Sequence, residues 1–225
     1  MLLKNRIFLL LILIIFSIST SASAKDTITF RCQEDIIPNV GRTIGADSSS
    51  ITINTVKFYV QHLRLIRNHE IVWTAPSTFL VDLSDVNSED ISMDTEIKEG
   101  DSLCFILGID SMTCVGGVNG GELDPARAMY WTWQSGYINM KIEGNSPLSN
   151  ARNHELQFHI GGYKYPYATA REVRLVVPEK STREVVFSLN NLFNGIDLST
   201  VDHIMSPGEK ASTIASKAAA AFLMN

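Results

Sequence analysis

The residues best equipped for chemistry crowd into one stretch, 110–144. It holds four oxygen donors, Asp110, Asn119, Glu122 and Asp124, set around the run Gly116-Gly117-Val118-Asn119-Gly120-Gly121. Carboxylate and amide oxygens are the ligands of calcium, so these four are a candidate calcium loop, although their spacing is not that of an EF-hand. The glycines come with neither a Walker lysine nor a G-x-G-x-x-G opening a helix, which argues against a phosphate cradle. The stretch continues as Met129-Tyr130-Trp131-Thr132-Trp133-Gln134-Ser135-Gly136-Tyr137, with two of the chain's three tryptophans two residues apart. In an extended chain such residues share a face, so Trp131 and Trp133 are expected side by side, as an aromatic shelf that packs a core or receives a ligand. No G-x-S-x-G, H-E-x-x-H or close acid pair stands out, and the chain reads as non-enzymatic with no catalytic residue assigned.

The elements that must hold this stretch read mostly with a period of two. Val56, Phe58 and Val60 alternate with Lys57, Tyr59 and Gln61, the pattern of a half-buried strand. The apolar phase then moves to Leu63 and Leu65, which predicts a β-bulge near Gln61-His62. Arg67-Asn68-His69-Glu70 reads as a hairpin turn returning through Ile71, Val72 and Trp73, and further strands are expected at 27–33, 79–83, 101–109, 156–160, 173–177 and 184–189. Near the end, Ser206-Pro207-Gly208-Glu209 has the form of a capping box with Ser206 as cap, followed by Ala211, Ile214, Ala215, Ala218 and Phe222 at helical spacing. The fold class is therefore all-β: an immunoglobulin-like or jelly-roll-like β-sandwich with a C-terminal amphipathic helix.

Composition sets the compartment. Lys4 and Arg6 precede an apolar run over 7–16, and Ser21-Ala22-Ser23-Ala24 offers small residues for cleavage, so residues 1–24 read as a secretory signal and 25–225 as a single domain. The run is short for a span that needs about 20 apolar residues, so no membrane span is expected after cleavage. Removing 1–24 takes away two basic residues and no acidic ones, moving the net charge from -5 to -7. An acidic chain without a basic run is a poor partner for nucleic acid. Three cysteines are too few for a disulfide scaffold. In an oxidising compartment Cys104 and Cys114 can pair across the Gly108-Ile109-Asp110 bend, and Cys32 can equally pair with either. No C-x-x-C spacing supports a thiolate metal site.

The string from Met129 through Trp131, Trp133, Gly136 and Tyr137 to Ile138-Asn139-Met140-Lys141-Ile142-Glu143-Gly144 resembles the signature of the MbnP-like family, methanobactin-associated periplasmic copper-binding proteins and their relatives. Val56-Lys57-Phe58-Tyr59-Val60, Leu107-Gly108-Ile109-Asp110-Ser111, Gly121-Glu122-Leu123-Asp124-Pro125, Phe158-His159-Ile160-Gly161-Gly162 and His203-Ile204-Met205-Ser206-Pro207-Gly208 agree in order, from about residue 27 to the C-terminus. The resemblance implies a secreted or periplasmic β-rich protein that binds copper through histidines and a kynurenine made from tryptophan, with a di-haem, MauG-like peroxidase as the oxidising partner. It implies His159 and His203 as ligands, Met205 as a soft neighbour, and Trp131 or Trp133 as the modified residue. His62, His69 and His154 lie outside the matching segments. The competing reading is a metal-free ligand- or protein-binding module of the cell envelope, in which the tryptophans form a shelf.

Overall fold

A computed structural model describes residues 25–33, 42–44 (backbone only), 51–83, 85 and 90–225. The expected secretory signal at 1–24 lies outside the described residues. The chain forms β1 (Asp26–Cys32), β2 (Arg42–Ile44), β3 (Ile51–Arg67), β4 (Glu70–Thr74), β5 (Phe79–Asp82), β6 (Asp90–Met93) and β7 (Ser102–Leu107), then a short helix α1 (Ser111–Val115). It continues through β8 (Tyr130–Thr132), β9 (Gly136–Asn145), β10 (Glu155–Gly161), β11 (Arg171–Val176), β12 (Glu184–Phe187), α2 (Leu189–Phe193), β13 (His203–Ile204), α3 (Glu209–Ala220) and β14 (Phe222–Met224). Two sheets result. The smaller runs β14-β12-β1-β6, and the larger runs β11-β7-β3-β9-β10-β13, with β2, β4 and β5 also on β3 and β8 on β9. Only β1 with β12 and β10 with β13 pair in parallel among the described strands.

Strand β3 is the spine of the larger sheet. Its first half pairs with β9 and its second with β7. The expected bulge is present: the register with β7 shifts between Gln61 and Arg64, and His62 takes φ 52°. The extra residue moves the inward phase from Phe58 and Val60 to Leu63 and Leu65. At the end of β3, Asn68 (φ 50°) and His69 (φ 69°) form the expected turn to β4, consecutive left-handed residues that match the twist of a two-residue hairpin.

Phenylalanines from both sheets fill the space between them. Phe222 of the smaller sheet meets Phe58 and Phe105 of the larger at ring-centroid distances of 5.3 and 5.5 Å, both edge-on, and Phe187 of its own sheet at 4.9 Å. Phe222 was expected on the C-terminal helix, but the helix ends at Ala220 and Phe222 belongs to β14, which pairs with β12. The helix α3 buries Ala211, Ile214, Ala215 and Ala218, the face expected from spacing. Its start differs from expectation: Gly208 is the cap and no side chain caps the helix, so the Ser206–Glu209 box is not formed. Ser206 and Pro207 lie instead in the bend between β13 and the helix, with Pro207 against Gly162, where an added Cβ would lie 2.8 Å from it.

The cysteine pairing is likewise corrected. Cys104 is fixed in the β7 ladder opposite Arg64 and Arg174, while Cys114 turns its Sγ toward the Ile109 carbonyl oxygen at 3.9 Å, and both are free thiols. Burial pushes both thiols above their ordinary range. No helix of the described residues is long and apolar enough to cross a membrane.

Truncating Phe222→Ala removes the ring that joins the two sheets. Equilibrium denaturation should show a loss of about 3–5 kcal/mol; a loss below ~1 kcal/mol would contradict this account of the core.

Candidate functional site

Alternation along three adjacent strands builds a second, outward face on the larger sheet. Strand β9 sends Met140 and Ile142 into the main core, β10 sends Phe158 and Ile160, and β3 sends Val56 and Phe58. Tyr59, Lys141, Glu143, His159 and Gly161 are thereby turned the other way. Part of this outer face is buried under the segment that follows β7. Tyr59, Tyr137, Ile109, Cys114, Met129 and Ile138 form a second apolar cluster there, with Tyr130, Trp131 and Tyr163 packed against it. Tyr137 meets Tyr59 and Tyr130 edge-on, with centroids 5.9 and 5.0 Å apart.

The tyrosine hydroxyls hold the glycine-rich loop down. Tyr59 Oη donates to the Glu122 carbonyl oxygen at 3.2 Å, and Tyr137 Oη donates to that of Gly117 at 3.3 Å while accepting from the Asn119 amide at 3.1 Å. Burial, reinforced by the neighbouring Tyr137, pushes the Tyr59 hydroxyl well above its ordinary range, so it stays a donor. The four expected calcium donors do not converge. Asp110 caps α1 through the Thr113 amide at 2.7 Å and lies 2.7 Å from His62 Nε2. Glu122 accepts from Arg127 at 3.1 Å, Asp124 from the Ala126 amide at 2.8 Å, and the Asn119 amide group donates to the Gly117 carbonyl oxygen at 3.1 Å. Carboxylates ahead of short helical turns satisfy orphan amides, and Asp110 and Asp124 are spent in that way. Among the described residues no three His, Cys, Asp or Glu side chains come together as a metal cluster.

The two tryptophans part company. Trp131 lies on β8 and its indole rests on Gly161: a Cβ there would stand 2.8 Å from Trp131 Cζ3. Trp133 falls in the turn closed by the Ser135 amide on the Thr132 carbonyl oxygen and is 73% exposed. The expected pair of indoles on one face is not formed, because a turn ends the two-residue alternation after Thr132.

His159, by contrast, is 7% exposed and sits two residues before Gly161 on the same face of β10. Its Nε2 is 2.7 Å from Glu143 Oε1. The hydrogen bond from His159, assisted by the Lys141 charge, holds the Glu143 carboxyl below its ordinary range. On the opposite edge of β10, His203 pairs with Gln157 and Ile204 is buried, which turns His203 and Met205 outward. Trp131, His159, His203 and Met205 thus border one strand. Imidazole and thioether are donors that copper takes, so the groups along β10 fit that ion in kind. The other histidines are elsewhere: His62 on Asp110, His69 in the β3–β4 turn, and His154 with Nδ1 3.0 Å from the Ser149 carbonyl oxygen. Sequence reasoning passed over Glu143, whose signal was its alternation with Lys141 inside the signature string.

Fold and site together define a two-sheet β-sandwich with a histidine-and-aromatic face on its larger sheet. The chain belongs to the MbnP family, whose profile matches residues 17–206, so α3 and β14 lie beyond the matched part. Among solved structures, MbnP from Methylosinus trichosporium has a similar fold, with a TM-score of 0.50 and 14% identity over 83% of this chain and 83% of that one. No curated protein matches the chain.

Two outcomes follow from this geometry. In Gly161→Ala the added Cβ would meet the Tyr137 carbonyl oxygen at 2.5 Å and Trp131 Cζ3 at 2.8 Å, so the substitution should shift both β9 and the indole, changing the near-ultraviolet circular dichroism and costing about 1–3 kcal/mol; an unchanged spectrum would contradict the contact. For Asp110, burial raises the pKa, but the hydrogen bonds from the Thr113 amide and His62 outweigh it and the net shift is downward from 3.8. A depressed carboxyl stabilises the fold above its unfolded pKa and ceases to do so as pH falls through the folded value. The stability advantage of the parent over Asp110→Asn should therefore shrink as pH falls below 3.8, as read by urea denaturation.

Proposed function

We propose that this protein is a non-catalytic copper-binding protein that works outside the cytoplasm, with its ion held beside β10 by His159, His203 and Met205 and by a nitrogen donor made from Trp131. The observation that carries the reading is the seat of the Trp131 indole on Gly161, two residues from the buried His159 on one face of one strand. Opening an indole to a kynurenine exposes an aryl amine, a nitrogen donor of the kind that sits beside imidazole on copper. Trp133 points to a different role, since it is exposed in a turn. A di-haem, MauG-like peroxidase is the proposed oxidant for Trp131. Membership of the MbnP family and the leader at 1–24 support the reading and the compartment.

A second reading has its own observation. Trp133 (73% exposed) lies by Tyr163, whose hydroxyl donates to the Trp133 carbonyl oxygen at 3.4 Å, and Tyr165 is 96% exposed. Exposed aromatics of this kind are what a metal-free binding surface would offer.

Copper titration of protein isolated from its native host should show one ion per chain, and His159→Ala should weaken it by at least tenfold. Mass spectrometry of native peptides should find Trp131 with one carbon lost and one oxygen gained, and Trp133 unmodified. Unmodified tryptophan at both positions would remove the kynurenine from the proposal, and undiminished binding by His159→Ala would remove the ligand assignment.

A further inference from the structure

We infer that Glu143 is a positioning residue for His159, holding it as the tautomer protonated on Nε2, so that Nδ1 is the nitrogen presented to the metal. The metal half of this inference rests on the copper reading above, but the tautomer half stands without it.

The argument begins with the acceptor. Glu143 Oε1 lies 2.7 Å from His159 Nε2, and an ionised carboxylate can only accept, so the hydrogen is on Nε2. In the neutral ring the lone pair is then on Nδ1. Among the described residues no group partners Nδ1 and no buried side-chain nitrogen or oxygen lacks a partner, so Nδ1 reaches the surface although the side chain is only 9% exposed. The arrangement leaves one face of a buried imidazole clamped and one nitrogen open.

Glu143 is itself braced. Lys141 Nζ is 4.0 Å from the same carboxylate oxygen, and Thr55 stands directly across from Glu143 in the β3–β9 register. Lys141 lies directly across from His159 in the β9–β10 register, and Glu143 across from Gln157. The carboxylate therefore reaches the ring diagonally across the ladder, and its backbone is fixed by antiparallel pairing to both β3 and β10. A surface ion pair has no need of such bracing. Ligand histidines, in contrast, characteristically donate their second ring nitrogen to a carboxylate, which fixes the tautomer and the ring plane.

The test uses the full chain with Glu143→Gln, which keeps a carbonyl acceptor, and with Glu143→Leu and Glu143→Ala, which remove it. Long-range proton–nitrogen NMR on metal-free protein reads the His159 tautomer directly. The parent and Glu143→Gln should show Nε2 protonated and Nδ1 bare, while the leucine or alanine variant, whichever folds by circular dichroism, should show a mixture. Titrated with Cu(I) and with Cu(II), Glu143→Gln should bind nearly as the parent does and the acceptor-free variant 10–100-fold more weakly. A parent ring protonated on Nδ1 overturns the inference even if neither acceptor-free variant folds. So does an acceptor-free variant with the parent's tautomer, or with the parent's copper affinity. If the parent takes up no copper, the copper reading falls, and the tautomer data alone decide the role of Glu143.

Discussion

Strand β3 imposes the constraint on which the rest depends. It is 17 residues long and hydrogen-bonds to β9 along its first half and β7 along its second, so its register decides which side chains of three strands face inward. A one-residue slip would exchange the phenylalanine core for Lys57 and Tyr59. The bulge at His62 is where that register changes, and Gln61 beside it uses both ends of its amide, accepting from the Asp110 amide at 2.8 Å and donating to Thr113 Oγ1 at 3.1 Å. The same irregularity that re-phases the core thus anchors the start of α1, and with it the segment that covers the outer face.

A buried asparagine performs the matching task on β9. Asn139 accepts from the Ile109 amide at 2.9 Å and donates to Thr169 Oγ1 at 2.9 Å, tying the exit of β7 to the loop before β11. The approach is so close that a Cβ on Gly108 would fall 2.4 Å from Asn139 Cγ, and Gly108 takes φ 106° there. Losing such a partner leaves a buried amide unsatisfied, at a cost of about 1–3 kcal/mol. The register between β9 and β10 shifts beside this residue, bringing Gly161 opposite Ile138 and opening the seat for Trp131. Polar satisfaction and site geometry come from the same local irregularity.

The fold was largely legible in the chain because its signals are local. Alternation at Val56, Phe58 and Val60, the change of phase at Leu63, and the Asn68-His69 turn each specify backbone over a few residues, and each is found where it was expected. The C-terminal helix was legible by its buried alanines, but its start was not, because Pro207 is held against Gly162, a residue more than forty positions earlier. The candidate site was legible only as a string of residues. Trp131 and Trp133 look equivalent two residues apart, and only the turn after Thr132 separates a seated indole from an exposed one. Asp110 and Asp124 look like metal ligands, but they are helix caps.

By itself the sequence determined the family, the strand alternation and the residue types on offer, since these depend on neighbours a few positions away. Tertiary structure alone decided which histidine is buried, which carboxylate holds it and which tryptophan is seated on the same strand. Glu143, His159 and Trp131 come from three different strands, and the contacts of Glu143 with His159 and of Trp131 with Gly161 are set by ladder register, a long-range property that no local pattern encodes.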